Sequence, residues 1–386
     1  MIFSRFKWSE DKILELDRPI RAYLYCRHLR YNLLTGYPET YSIEAFQKSL
    51  EELYLHNTVK ETRVYHFYYE WGLLRQGLGH NIGPDTPLVL EIFYARSRKV
   101  SARQTKLNRL PLRTLERPTW TEYKTAFAQI QEHLLQGNCY QVNLTFPFDF
   151  QTEEVLNPQE ISDFFFSRKG LGAFAHATYF GEYMFLSNSP ECLFQYRDNE
   201  VFTMPIKGTK KLSNDWKKDW KALLADPKEE GELIMIADLL KNDLNRLDQP
   251  KTRVIKRRAP LIVPGLLHQY SLLSVRLNNP VTMQKTLDSL FPGGSITGAP
   301  KKRVMEIIQE TEHSPRGIYC GSTLLCYGDK KMASINIRTA SINIGERIWR
   351  YGAGGAITLM SRPVEEFQEM ESKVESFLTF VGAPGY

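Results

Sequence analysis

Among the 386 residues of this chain, one lysine and two pairs of glutamates stand out as able to do chemistry. Lys207 lies in Pro205-Ile206-Lys207-Gly208-Thr209, between a proline turn and a glycine, directly after the apolar run Val201 to Met204. A lysine at such a strand end is partly desolvated, which lowers its pKa and frees the neutral amine that nucleophilic catalysis needs. Most lysines at strand ends are surface charges, and composition does not separate the two readings. Upstream, Ser189-Pro190-Glu191 follows another strand-like run and offers a carboxylic acid able to protonate a leaving hydroxyl. Glu229 and Glu232 stand three residues apart at the start of a helical stretch, and Glu366 and Glu369 repeat that spacing near the other end of the chain. Such pairs repel when ionised, so together they could hold a divalent cation between helices. Magnesium suits an all-oxygen site beside an anionic ligand. The alternative is solvated helix faces with salt bridges, for instance Glu369 to Lys373 one turn on.

Two glycine-rich turns complete the set. Phe291-Pro292-Gly293-Gly294-Ser295-Ile296-Thr297-Gly298-Ala299-Pro300-Lys301 is a loop entering a helix, with Pro300 near the first turn, where a missing N–H costs little. Exposed backbone N–H groups there would form an anion pocket. In Tyr351-Gly352-Ala353-Gly354-Gly355-Ala356 the lack of side chains lets the backbone approach a ligand. Neither turn is a P-loop or a dinucleotide fingerprint, and ordinary turn glycines remain the alternative for each.

The elements that must position these residues follow from periodicity. The first ~110 residues, with short apolar runs such as Val64 to Tyr69 bounded by Gly77, Gly79, Gly83 and Pro84, predict strands and turns. A helix is expected from Thr119, with Glu122 completing a capping box, to Gln136 before Gly137. Val142, Leu144, Phe146 and Phe148 then alternate as a strand. Further strands are expected over Ala173 to Phe180, Tyr183 to Leu186, Val201 to Met204, Tyr319 to Tyr327, Ser334 to Ile344 and Trp349 to Gly352. Helices are expected over Gly231 to Arg246, Ala299 to Thr311 and Val364 to Phe380. Strands and helices do not alternate as βαβ units, so the fold class expected is α+β, with large, mostly antiparallel β-sheets flanked by helices. A strand-rich region over 1–115 would pack into the same fold as a catalytic domain over 116–386.

Composition excludes several classes. Hydrophobic residues make up 42% and charged residues 24%, an ordinary globular mix. No apolar stretch reaches the roughly 20 residues of a membrane span, and Met1 to Ile20 carries acids where a signal peptide would be apolar. The five cysteines form no C-x-x-C pair, which fits a reducing cytoplasm. The net charge is +6, yet Tyr94 to Arg113 alone holds seven basic residues and no acid, leaving the remainder at −1. There is no recognisable nucleic-acid module, and the Arg96 to Arg113 cluster reads as a solvated linker or, less simply, a partner-facing patch.

Taken together, Tyr140-Gln141-Val142-Asn143-Leu144-Thr145, Ser189-Pro190-Glu191, Pro205 to Thr209, Met235 to Asp243, Ser295 to Lys301, Tyr319-Cys320-Gly321-Ser322, Ile337-Arg338-Thr339 and Gly352 to Ala356 resemble, in order, the chorismate-utilising enzymes. The resemblance covers about Trp120 to Leu378. Water-using members of that family, the isochorismate and salicylate synthases, carry a lysine base where this chain has Gln141. Anthranilate-forming members commonly have alanine where it has Lys207. The resemblance therefore implies amination of chorismate to 4-amino-4-deoxychorismate, for 4-aminobenzoate and folate synthesis. Anthranilate formation is the alternative, and a non-catalytic ligand-binding homologue a more distant one.

By the same resemblance Lys207 attacks C2 of chorismate, Glu191 is the general acid at the C4 hydroxyl, and His268 lies on the C4 side. Arg338, Gly208, Thr209, Thr297, Gly298, Tyr319, Gly354, Gly355 and Lys373 line the substrate pocket. Magnesium is implied on Glu232 and Glu369, with Glu229 and Glu366 in support. No glutaminase nucleophile is found, so ammonia would come from a separate glutamine amidotransferase subunit. Neither nucleic acid nor membrane is an expected partner. The segment Ala356 to Ser361 departs from the family's pattern of a third glycine and a following acid, and no tryptophan-pocket motif is matched in the N-terminal region.

Overall fold

A computed structural model describes residues 1–247, 251–263 and 266–383, which form twenty strands and nine α-helices. The N-terminal part contributes β1 (Ile2–Lys7), β2 (Ile13–Tyr25), β3 (Leu29–Asn32), β4 (Pro38–Thr40), α1 (Ile43–Glu51), β5 (Thr62–Phe67), α2 (Tyr69–Arg75), β6 (Val89–Val100) and β7 (Leu112–Glu116). Next come α3 (Trp120–Leu135), β8 (Gln141–Thr152), α4 (Pro158–Ser167), β9 (His176–Phe180), β10 (Tyr183–Ser187), β11 (Cys192–Arg197), β12 (Glu200–Met204) and β13 (Ile206–Lys211). Then follow α5 (Trp216–Leu224), α6 (Pro227–Asn245), β14 (Arg253–Val263), β15 (Leu266–Arg276), α7 (Met283–Leu290) and β16 (Gly298–Ala299). The last group is α8 (Lys301–Thr311), β17 (Ser322–Tyr327), β18 (Lys330–Ile335), β19 (Thr339–Asn343), β20 (Ile348–Ile357) and α9 (Pro363–Phe380).

Every described strand pairing is antiparallel, in agreement with the α+β expectation. The strands are ordered β7-β8-β20-β19-β10-β9-β1-β2-β6-β5-β17-β18-β11-β12-β15-β14. In addition β3 pairs with β2, β13 with β15 and β16 with β8. The sheet curls over on itself, because side chains of β9 meet those of β5 and β17: His66 Nε2 lies 3.0 Å from Thr178 Oγ1, and His176 Nε2 lies 3.0 Å from Thr323 Oγ1. No described helix is long and apolar enough to cross a membrane.

Local rules explain the elements that carry the site. Thr119 caps α3 and the reciprocal Glu122 capping box is present, an arrangement that contributes about 1 kcal/mol. In β8, Val142, Leu144, Phe148 and Phe150 are buried as the alternation requires, although Phe146 is only partly so. On α9 the stripe Met370, Val374 and Leu378 faces the core, and Glu366 stands one turn earlier on the same stripe. All five cysteines are buried free thiols.

Several expectations need correction. Helices α1 and α2 lie inside the region read as strands and turns, because Ile43, Phe46 and Leu50 recur at helical spacing behind the Ser42 cap. The Tyr319 strand starts only at Ser322, since Cys320 is in the left-handed region (φ 62°) and turns the chain. The run Ser334 to Ile344 is likewise split into β18 and β19, with Arg338 at φ 52° between them. The first strand residues of Ala173 to Phe180 belong to a turn, closed by Ala175 N donating to Gly172 O. Strands β13, β14 and β15 were not anticipated. β13 and β14 are rich in Lys and Arg, which masks their period. The solvated-linker reading of Arg96 to Arg113 fails at Arg96, Arg98 and Arg103, which pair with Glu15 and Asp17 of β2.

Candidate active site

Lys207 is placed by a break in strand register. β13 leaves the Pro205 turn with Ile206 opposite Tyr270 and Lys207 opposite Gln269, then slips so that Thr209 faces His268. The slip needs Gly208, whose φ of 69° is unfavourable for other residues. A Cβ there would lie 2.9 Å from both Gln269 Nε2 and Glu229 Oε2, so the bulge seats the Glu229 carboxylate against the strand beside Lys207. Gln269 Nε2 donates to the Glu229 carbonyl at 2.9 Å and clamps the first turns of α6 to β15. The side chain of Thr209 lies outside the described residues.

Glu191 is 5% exposed and lies close enough to Lys207 to feel its charge. Its N–H is held by Ser189 Oγ at 3.1 Å, and its carbonyl accepts from Ile335 N at 3.0 Å. Burial pushes its carboxyl up from the ordinary range, against opposing effects of Ser295, of the Lys207 ammonium and of Arg338. Ser295 faces this carboxyl with a buried hydroxyl that makes no hydrogen bond of normal geometry. Arg338, exposed at the β18–β19 turn, brings its charge to Glu191, His268 and Tyr351. His268 on β15 is buried, and desolvation plus the Arg338 charge push it down to about 4 despite its hydrogen bond with the Gly208 backbone. It is therefore neutral at physiological pH. Lys207, Glu191, Arg338 and His268 thus meet although they come from four separate segments.

The glycine turns differ from what the sequence implies. Residues 291–298 are buried, not exposed, and Gly294 packs against Leu239 of α6. Gly298 (φ 143°) runs against the Gln141 carbonyl, leaving no room for a side chain, and Thr297 Oγ1 donates to Gly293 O at 3.0 Å. Arg316, which sequence reasoning missed, fixes this loop by donating to Ile296 O (2.7 Å) and Asn143 O (2.8 Å) while paired with Glu312. The i,i+4 spacing of Glu312 and Arg316 was the available signal. Gln141 was singled out as a family position, but not for its environment: both ends of its amide are buried without a hydrogen-bond partner.

In β20, Gly352 packs against the Tyr319 ring, and Gly354 and Gly355 lie opposite Thr145 and Leu144 of β8. A Cβ on Gly355 would be 3.4 Å from Glu366 Oε2, 3.8 Å from Lys373 Nζ and 4.0 Å from Glu369 Oε1, so α9 presents all three side chains to this turn. Ser361 Oγ donates to Glu366 Oε1 at 2.7 Å, giving the atypical segment Ala356 to Ser361 a defined task. Lys373 Nζ donates to Gly354 O at 2.7 Å and pairs with Glu369 at 2.9 Å, the salt bridge anticipated as the alternative. Glu232 is half-buried on α6. Among the described residues no group of three or more His, Cys, Asp or Glu side chains is gathered as metal ligands.

With this geometry in view, the relationship to known proteins is direct. Residues 90–379 match the family described as chorismate binding enzyme. The chain belongs to the chorismate-binding enzymes. Aminodeoxychorismate synthase component 1 of Klebsiella aerogenes is 36% identical over 264 residues, 67% of this chain and 57% of that protein. The protein of the same description from Salmonella typhimurium is 36% identical over 275 residues, with the same two coverages. The chain thus spans little more than half the length of the curated relatives it matches. The solved anthranilate synthase component I from Streptococcus pneumoniae superposes with a TM-score of 0.79 over 96% of this chain and 93% of its own, at 20% identity, which establishes a shared chorismate-binding-enzyme fold.

Proposed function

We propose that this chain aminates chorismate at C4, giving 4-amino-4-deoxychorismate for 4-aminobenzoate and folate synthesis. The observation that carries the reading is that Glu191 lies within electrostatic reach of Lys207 and Arg338, and His268 within reach of Arg338 and the Gly208 backbone. The lysine in Pro205 to Thr209 and the description of the two relatives support this reaction over anthranilate formation.

Arg338 binds a substrate carboxylate through charge-assisted hydrogen bonds. Once Lys207 has released its ammonium proton to solvent, its free amine bonds to C2, the ring double bonds shift, and the C4–O bond breaks. Glu191, whose carboxyl burial pushes up from the ordinary range, delivers a proton so that the hydroxyl leaves as water. Ammonia then bonds to C4, the double bonds shift back, and the C2–N bond to Lys207 breaks. The ionised Glu191 takes up the proton the incoming amine sheds. His268, neutral in this setting, hydrogen-bonds on the C4 side without adding positive charge.

The carboxylates fit magnesium by donor type. The ion needs hard oxygens and commonly takes only one or two protein carboxylates, which is compatible with the lack of a gathered trio. Glu232 and Glu369 would hold it, supported by Glu229 and Glu366, and when bound it would neutralise the ring carboxylate. A separate glutamine amidotransferase subunit supplies ammonia, and the buried free thiols favour the reducing cytoplasm as the compartment.

The test is incubation with chorismate, magnesium and an ammonium salt. Aminobenzoate is expected only after a pyruvate-removing lyase is added, whereas fluorescent anthranilate without lyase overturns the assignment. Absence of both product and a Lys207-linked adduct overturns the enzyme reading itself.

A further inference from the structure

A cleft of about 560 Å³ opens between β1, β2, β6 and α4, and Lys207, Glu191, His268 and Arg338 are not among its lining residues. Arg5, Arg18, Arg96, Arg98 and Arg103 line it, with Glu15 and Asp17 as the lining acids. Glu15, 5% exposed, accepts hydrogen bonds from three guanidiniums: Arg5 at 3.1 Å, Arg98 at 2.6 Å and Arg103 at 2.9 Å. Asp17 takes a two-pronged contact from Arg96 and a further one from Arg98 at 3.1 Å. Asp163 of α4 takes the remaining arm of Arg5 at 2.6 Å. Five guanidiniums therefore stand against three carboxylates.

An ion-pair latch between strands does not need this surplus. Arg350 and Asp149 tie β20 to β8 with one guanidinium and one carboxylate, bonded twice at 2.8 and 2.7 Å. In the cleft, Arg98 and Arg103 each spend one nitrogen on the acids, and Arg18 makes no hydrogen bond or ion pair among the described residues. Their remaining N–H groups border the open volume, and the two surplus positive charges match a ligand with two negative ones. Ile2, Phe3, Pro19, Leu33 and Leu34 add apolar surface to the lining. The volume is that of an ordinary small-molecule site.

We infer that this cleft binds a small organic dianion, carboxylate or phosphate, whose apolar body rests on Phe3 and Leu34. The run Tyr94 to Arg113 then owes three of its seven basic residues to this site. Phenyl phosphate and phthalate, two aromatic dianions with different head groups, are titrated into the full chain by calorimetry. Saturable binding of at least one, weakened by added salt, is expected, and the tighter of the two identifies the head group. Arg98→Gln with Arg103→Gln should weaken it at least about tenfold. Leu34→Trp, at a half-exposed site outside the ion-pair network, should also weaken it by filling the apolar part of the lining, while Arg338→Gln should leave it unchanged. No saturable binding, or binding lost in Arg338→Gln and kept in the Arg98, Arg103 double variant, overturns the inference.

Discussion

Two buried polar clusters, each containing histidine, occupy this fold and differ in how completely their groups are satisfied. Between β5, β9 and β17, His66 bonds to Thr323 (2.8 Å) and Thr178 (3.0 Å), Thr178 to Ser4 (2.8 Å), and Ser4 to Tyr94 (2.8 Å). His176 bonds to Thr323 and to the Phe174 carbonyl, and Asn336 to Thr323. No side-chain atom of that network lacks a partner, and desolvation keeps both histidines neutral. Around Glu191 the accounting does not close: the Ser295 hydroxyl facing its carboxyl makes no hydrogen bond of normal geometry, and Glu191 shares its surroundings with the charges of Lys207 and Arg338. Buried polar groups are normally satisfied, so the first cluster is architecture and the second is left ready for a ligand.

The largest effect that could break this contrast is Lys207→Ala. Product formation should fall by at least about a thousandfold and the adduct should vanish from intact mass spectra, with the melting temperature nearly unchanged because the side chain is only half-buried. Turnover that survives this substitution would remove the nucleophile from the scheme. Glu191→Gln should cost about 10²- to 10⁴-fold, the usual range for a general acid, while folding is preserved because burial already favours the uncharged carboxyl. A collapse of stability in this variant would instead place Glu191 with the structural cluster.

What was legible in the sequence follows the range over which each signal acts. The capping box of α3 and the alternation of β8 are local, and both are found where expected. Glu191 and Lys207 could be picked out because a proline and a glycine bracket them within a few residues. The register slip at Gly208 was not legible, since it depends on Gln269 and Glu229 arriving from other elements. The pairing of Arg96 and Arg98 with acids about 80 residues away was invisible for the same reason, and a basic run looks solvated until its partners are known. Exposure of the Phe291 to Gly298 loop was misjudged because its glycines permit close packing, Gly294 on Leu239 of α6 and Gly298 on the Gln141 carbonyl, a use that sequence does not distinguish from ligand approach.

Stability against pH acts alike on the histidines of both clusters. His66, His176 and His268 have folded pKa values below the free histidine value, the last two at about 4, so their contribution is full above about pH 6.5 and is lost as pH falls toward 4. Glu70 runs the other way. It is pushed up to about 7 by burial against the pull of the Gly317 N–H, so its contribution is full below about pH 4.5 and is lost as pH rises toward 7. Glu70→Gln removes only this opposing trend. Its melting temperature should fall more steeply on acidification from pH 6.5 to 4.5 than that of the unaltered protein, and thermal scans across that interval check the slope. Parallel curves would mean that Glu70 is ionised throughout.

The smallest effect sharpens the contrast at a single oxygen. Thr323→Val keeps the side-chain shape but removes the hydroxyl on which His66, His176 and Asn336 all converge. Leaving such groups buried and unpaired costs about 1–3 kcal/mol, read as a lower melting temperature. Because this oxygen serves only the satisfied network, kcat/KM with chorismate and ammonia should stay within about twofold, well short of the 1.4 kcal/mol that a tenfold loss represents. A kinetic loss as large as the stability loss would show that the two clusters are coupled through β17 and β18, and that a complete hydrogen-bond tally does not by itself mark a region as scaffold.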